Sequence, residues 1–187
     1  MRKHSNKKNN EETNRTTARD IAFIGMMVAV IEVCKMAFSF LPNIELTSFW
    51  LIMFGIYFGR KVLFVVPVFI LLEGMVYGFG LWWIMYLYAW PMLVAIVLIF
   101  RKKQNILFWS LLSATYGLFF GILCAIPYVV IGMGGTNLQS GLYAGFTWWI
   151  AGIPWDIVHC IGNFVVMMVL YTPIGNVLKR IRLAIES

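Results

Sequence analysis

Long apolar runs broken by short polar turns dominate the chain. A helix needs roughly 20 predominantly apolar residues to cross a bilayer's hydrocarbon core. Six runs reach or approach that length: Ile21 to Leu41, Leu46 to Gly59, Val62 to Tyr77, Leu81 to Phe100, Ile106 to Ile131 and Phe146 to Tyr171. The second is short, and only Gly59, Arg60 and Lys61 part it from the third. The pattern predicts an all-α integral membrane protein with six transmembrane helices, built from residues 20–187. Met1 to Arg19 is instead mostly Lys, Arg, Asn, Glu and Thr. That composition predicts a disordered basic cytoplasmic tail. It does not suit a secretory signal peptide, because the first apolar run is too long and no small-residue cleavage site follows it.

Composition and charge sharpen this picture. Of 187 residues, 61% are hydrophobic and 12% charged, against about 25% charged in ordinary soluble domains. So few charges cannot cover a soluble globule, whereas a bilayer accepts an apolar outer face. Cationic residues favour the cytoplasmic side. With the N-terminus inside, the inner segments hold Arg2, Lys3, Lys7, Lys8, Arg15, Arg19, Arg60, Lys61, Arg101, Lys102, Lys103, Lys179, Arg180 and Arg182, which is 14 of the 15 Lys and Arg. The outer loops hold none, and Lys35 lies within the first span. Both termini are therefore expected in the cytoplasm. The net charge of +7 reports topology, and no nucleic-acid partner is expected. Cys34, Cys124 and Cys160 sit in apolar runs without metal-ligand spacing, as small buried hydrophobes do. Neither a metal nor a cofactor is expected.

Ionisable groups inside a membrane mark function by default. Here they gather toward the outer side: Glu32 and Lys35 in the first span, Glu45 beside Asn43 in the first outer loop, Glu73 in the third span, and Asp156 and His159 in the sixth. Asp156, His159 and Asn163 follow i, i+3, i+7 spacing and share one helix face. Trp82, Trp83, Tyr86 and Trp90 start the fourth span, and Tyr128, Trp148, Trp149 and Trp155 flank the last outer loop. That loop, Gly132 to Gly145, is rich in Gly and carries Thr136, Asn137, Gln139 and Ser140, a composition suited to a mobile lid. Acids, an imidazole, amides and indoles at one depth suit a pocket for a small polar molecule. Blander readings stand beside it. The aromatic residues are also an interfacial belt, Glu32 and Lys35 can neutralise each other across one turn, Lys35 can snorkel outward, and Asp156 with His159 can be a structural pair.

The chain lacks HExxH, GxSxG and phosphate-loop motifs, so an enzyme is not expected. A channel would need polar lining throughout, but the inner halves of the spans are nearly without charge. Ala18, Ala22, Gly25 and Ala29 form one stripe of small residues on the first helix, which suits either internal packing or docking of a partner helix.

With these residues in view, the chain resembles the substrate-binding S components of energy-coupling factor (ECF) vitamin transporters. Ala18-Arg-Asp-Ile-Ala22 looks like that family's AxxxA docking motif, and Gly152-Ile-Pro-Trp-Asp156-Ile-Val-His159-Cys-Ile-Gly-Asn163 looks like the polar segment of its last helix. The resemblance runs from about Thr17 to the C-terminus. It implies a multi-pass protein of a bacterial cell membrane that captures a water-soluble vitamin or precursor from outside. It also implies delivery through partners, namely a transmembrane coupling subunit and two ATPase subunits. Lys35, Asn43, Glu45, Glu73, Trp83, Tyr128, Trp155, Asp156, His159 and Asn163 would line the substrate pocket, and Ala18, Ala22, Gly25 and Ala29 would meet the coupling subunit. The expected cargo is a ring-bearing vitamin (cobalamin, a hydroxymethylpyrimidine thiamine precursor or pyridoxine), with pantothenate as the alternative. A membrane enzyme or structural membrane protein is the alternative of another class.

Overall fold

The computed structural model describes residues 18–41, 43–134 and 137–186. The tail at 1–17 and Thr136 of the outer loop lie outside the described residues. The described chain folds into six α-helices, with no strand among the described residues: α1 (Ala18–Ala37), α2 (Thr47–Phe58), α3 (Val62–Tyr77), α4 (Leu81–Phe100), α5 (Ile106–Gly132) and α6 (Leu138–Glu186). A 3-10 turn, Gly59–Lys61, joins α2 to α3. Four continuous helical stretches are long and apolar enough to cross a membrane: Thr47–Tyr77, Leu81–Phe100, Ile106–Gly132 and Leu138–Ile185. α1 falls outside this set. It carries Arg19, Asp20, Glu32 and Lys35 within 20 residues.

Gly59 divides the first stretch. Its φ of 59° and ψ of −128° lie where a β-carbon is disfavoured, so glycine suits the reversal. A β-carbon placed on Gly55 would come within 3.9 Å of Val62 Cγ1. Residues seven apart on one straight helix are about 10 Å apart along the axis, so the chain turns back here. Pairings across the bundle show the alternation that follows. Lys61 Nζ bonds Asp20 Oδ1 at 2.7 Å, and Lys35 pairs with Glu73 further along, so α1 and α3 run parallel. Phe100 packs on Phe108 while Tyr116 Oη donates to Ala89 O at 2.7 Å, and Gly121 N donates to Asp156 Oδ1 while Asn163 Nδ2 donates to Ser113 O at 3.2 Å, so α4, α5 and α6 run antiparallel in turn. Arg19 at the start of α1 reaches Ala184 O near the end of α6, 3.2 Å away. Both ends of the described chain therefore lie at the same end of the bundle.

α2 is the central helix. Its residues are apolar on nearly every side, and eight of its twelve are buried, as an all-round hydrophobic helix requires. It packs on α1, α4 and α6. The outer faces of α3 to α6 stay apolar yet exposed, with Met75 75% and Ile99 73% accessible. An apolar surface this extensive suits lipid and not water.

α5 and α6 form the most extensive helix pair, and glycines explain why. A β-carbon on Gly117 would lie 3.0 Å from the His159 carbonyl oxygen, and one on Gly132 would lie 2.7 Å from Ala144 Cβ. Gly141 and Gly145 likewise face the α5 backbone and Val129. Small residues let helix backbones approach closely in lipid. The glycine-rich segment expected to be a mobile lid is therefore largely helix–helix interface. α5 runs to Gly132 and α6 starts at Leu138, eight residues ahead of the expected span. Asn137 starts α6, its Oδ1 accepting from Ser140 N at 2.9 Å, as a helix N-cap does.

Candidate functional site

A polar cavity of about 440 Å³ opens at the end of the bundle away from the chain termini. Several elements build its wall. Lys35 comes from the last turn of α1, Phe38 immediately follows that helix, and Glu73 and Tyr77 come from one face of α3 at i, i+4 spacing. Trp82 and Tyr86 have the same spacing on α4, Phe120 and His159 come from α5 and α6, and the α1–α2 connection adds Ser39, Leu41, Asn43, Ile44 and Glu45.

Lys35 is the cavity's cation, and it is already engaged. Its ammonium forms an ion pair with the buried Glu73 carboxylate and donates to Tyr86 Oη at 3.2 Å. The rings of Phe69, Tyr77 and Tyr86 surround it, with centroids 5.8, 5.6 and 5.1 Å from Nζ, close enough for cation–π attraction. The partner of Lys35 is thus Glu73, across the bundle, and not Glu32 on its own helix. Glu32 is buried beside Glu73, and one oxygen of each carboxyl has no hydrogen-bond partner. Two carboxyls, Glu73 in the lining and Glu32 behind it, therefore stand near the Lys35 ammonium. Glu45 adds a third at the rim, its Oε2 accepting from Thr47 Oγ1 at 3.3 Å. The site is acidic on balance, with aromatic walls.

The sequence-predicted residues separate into two groups. Lys35, Asn43, Glu45, Glu73 and His159 come together here. His159 is buried, sits edge-on to Phe120 at 5.2 Å, and has no hydrogen-bond partner at Nε2. Asp156 and Asn163 do not line the cavity. Asp156 Oδ1 accepts from Gly121 N at 3.1 Å, and Asn163 bonds Ser113 O, so these two join α6 to the glycine face of α5. Trp83 donates to Ile70 O at 2.8 Å and lines a separate apolar cavity between α3 and α4. Tyr128 stacks on Trp148 at 4.6 Å, and Trp155 is half exposed on the outer face of α6. Phe38, Tyr77 and Phe120 were not among the expected residues. Tyr77 was accessible from its i+4 relation to Glu73, while no local signal singles out Phe120.

The small-residue stripe does not line this cavity. Ala18, Ala22, Gly25 and Ala29 are all exposed, and a β-carbon on Gly25 would meet nothing within 4 Å. α1 buries the opposite face through Phe23, Ile24, Met27, Val28 and Ile31, so internal packing does not account for the stripe. No group of three or more His, Cys, Asp or Glu able to hold a metal occurs among the described residues. Comparison with known families, characterised proteins and solved structures finds no family model, relative or structure that matches the chain.

Proposed function

We propose that the chain is the substrate-capturing membrane subunit of an importer whose energy comes from partner subunits, the role its resemblance to ECF S components implies. The observation that carries this reading is the acidic, aromatic-walled cavity at the end of the bundle away from the chain termini. In this reading all six helices cross a bacterial cell membrane, with both termini inside. The alternating helix directions and the basic residues at the termini end (Arg60, Arg101, Lys102, Lys179) support that orientation. The cavity then faces outward and receives a water-soluble molecule. The exposed Ala18, Ala22, Gly25 and Ala29 stripe offers a close-approach surface to a coupling subunit's helix.

The charge arrangement favours one substrate class. Lys35 is held by Glu73 and Tyr86, so an incoming carboxylate such as pantothenate's would have to displace Glu73 from the cation. A cationic or neutral ring would instead stack on Trp82 or Tyr86 and meet Glu45 directly. A cavity of about 440 Å³ is on the scale of small-molecule sites and favours a pyrimidine- or pyridine-sized ring over a corrinoid, which would extend into the surrounding loops.

The test is tryptophan fluorescence of the detergent-purified chain titrated with B vitamins and their precursors. Saturable quenching by one compound, abolished in Tyr86→Ala and Glu45→Ala but kept in Trp155→Ala, supports the reading. If no compound binds, or if Trp155→Ala removes binding as fully as Tyr86→Ala, this cavity is not the capture site. For the partner surface, Ala22→Trp should leave such binding intact and abolish uptake in cells.

A further inference from the structure

The end of the bundle that carries the chain termini holds a second polar cavity, about 420 Å³, with the opposite charge. It lies between the end of α2, the α4–α5 turn and the last turns of α6. Tyr57, Arg101, Lys102, Tyr171, Lys179 and Arg182 line it. A smaller cavity of about 130 Å³ shares Tyr57, Arg101 and Arg182 and adds Lys61. Among the described residues, no carboxylate lines either space. Lys61 is paired with Asp20, but Arg101, Lys102 and Lys179 form no ion pair among the described residues. The Arg101 guanidinium lies where a side chain on Gly59 would be, so the turn glycine leaves it room to lie against the bundle.

We infer that this basic cleft binds the phosphate headgroup of an anionic phospholipid from the cytoplasmic leaflet. Four cations and two phenol hydroxyls around a cavity provide the charge and the donors that a phosphodiester requires. The adjoining surface favours a lipid over a soluble phosphate. Ile99 and Phe100, the last two residues of α4 before Arg101, are both exposed on the membrane side of that arginine. Acyl chains would run along them beneath the bound headgroup. The inference rests on the membrane orientation and not on substrate capture. It gives the protein a lipid requirement at the face opposite the capture cavity.

Native mass spectrometry of the full chain in neutral detergent tests it, with dioleoyl phosphatidylglycerol, dioleoyl phosphatidylcholine, inorganic phosphate and an oligoglutamate peptide as probes. The expected result is one saturably retained phosphatidylglycerol, no retained phosphatidylcholine, and no displacement by phosphate or peptide at equal concentration. Binding should weaken roughly thirtyfold in the Arg101→Gln, Lys179→Gln double variant, the scale expected for two interfacial cations. It should be unchanged in Lys103→Gln, because Lys103 lies over the Phe100 and Phe108 rings instead. Equal weakening by Lys103→Gln would mean diffuse charge attraction and overturn the site. Equal retention of phosphatidylcholine, or displacement by phosphate or by the acidic peptide, would overturn the lipid assignment. The wild-type probe comparison decides the matter even if the double variant fails to fold.

Discussion

Replacing Gly117 with alanine tests whether glycines set the α5–α6 spacing. The added β-carbon would lie 3.0 Å from both the carbonyl carbon and oxygen of His159, and 2.9 Å from Asn163 Nδ2. Two of these three atoms are backbone, so no rotamer change relieves the contact and the helices must separate. Overpacking of this kind costs about 1–3 kcal/mol. Moving Asn163 also strains its bond to Ser113 O, and interhelical bonds in membranes contribute roughly 0.6 kcal/mol on average. Against this, alanine is favoured over glycine in a helix by up to about 1 kcal/mol. With the full alanine gain subtracted, the net expectation is a loss of roughly 0.6–2.6 kcal/mol. Gly25→Ala is the matched control: with nothing within 4 Å of the new atom, only the helix-propensity gain remains. Reversible unfolding in mixed micelles with increasing SDS measures both. If Gly117→Ala proves as stable as wild type, or gains as much as Gly25→Ala, the close backbone approach of α5 and α6 is not what holds this pair together.

Lys35→Met removes the one cation facing Glu73 and Glu32 among the described residues, and breaking a buried pair in this way costs about 3–5 kcal/mol. The same unfolding assay should show a loss near that range, with Lys35→Arg losing far less. Asn105→Ala removes the side chain that accepts from Leu107 N at 2.8 Å and Phe108 N at 3.2 Å. A lost N-cap costs about 1 kcal/mol, and hydrogen exchange should quicken in the first turn of α5 alone; faster exchange along the whole helix would point to another cause.

The sequence made helices legible wherever a lipid-facing run ended in a polar or glycine break. Val62 to Tyr77 and Leu81 to Phe100 come out at the same bounds in pattern and structure. Reading the glycines was harder. A cluster such as Gly141 and Gly145 looks the same in sequence whether it loosens a loop or seats one helix on another, and only the facing residue Val129 distinguishes the two. The polar residues posed the same difficulty. Asp156, His159 and Asn163 do share a face, but α5 covers that face, so only His159 reaches the cavity while its two neighbours bond the Gly121 amide and the Ser113 carbonyl. Helical spacing identifies a shared face. It does not show what lies opposite that face, and for this reason the Lys35 partner had to come from α3.

Which wall of the cavity can move follows from how each is held. The α5–α6 side is fixed by its glycine contacts and by the Asp156 and Asn163 bonds, and the α1–α3 side by ion pairs at both ends. The α1–α2 connection contributes Ser39, Leu41, Asn43, Ile44 and Glu45 to the lining, yet turn-type backbone bonds such as Leu41 N to Phe38 O at 2.9 Å and Ile44 N to Leu41 O at 3.3 Å hold it. Asn43 within it has a φ of 56°, a conformation asparagine tolerates better than most residues. Access to the cavity should therefore depend on this connection and not on the glycine-rich turn between α5 and α6. Ile44 rests on α6 near Gly162, where a β-carbon would lie 3.5 Å from Ile44 Cγ1. An Ile44→Cys, Gly162→Cys pair is thus placed to close a disulfide between connection and helix. Oxidising it should slow ligand association at least tenfold in stopped-flow fluorescence, and reduction should restore the rate. Unchanged association with the bridge formed would mean that ligand enters past a different wall.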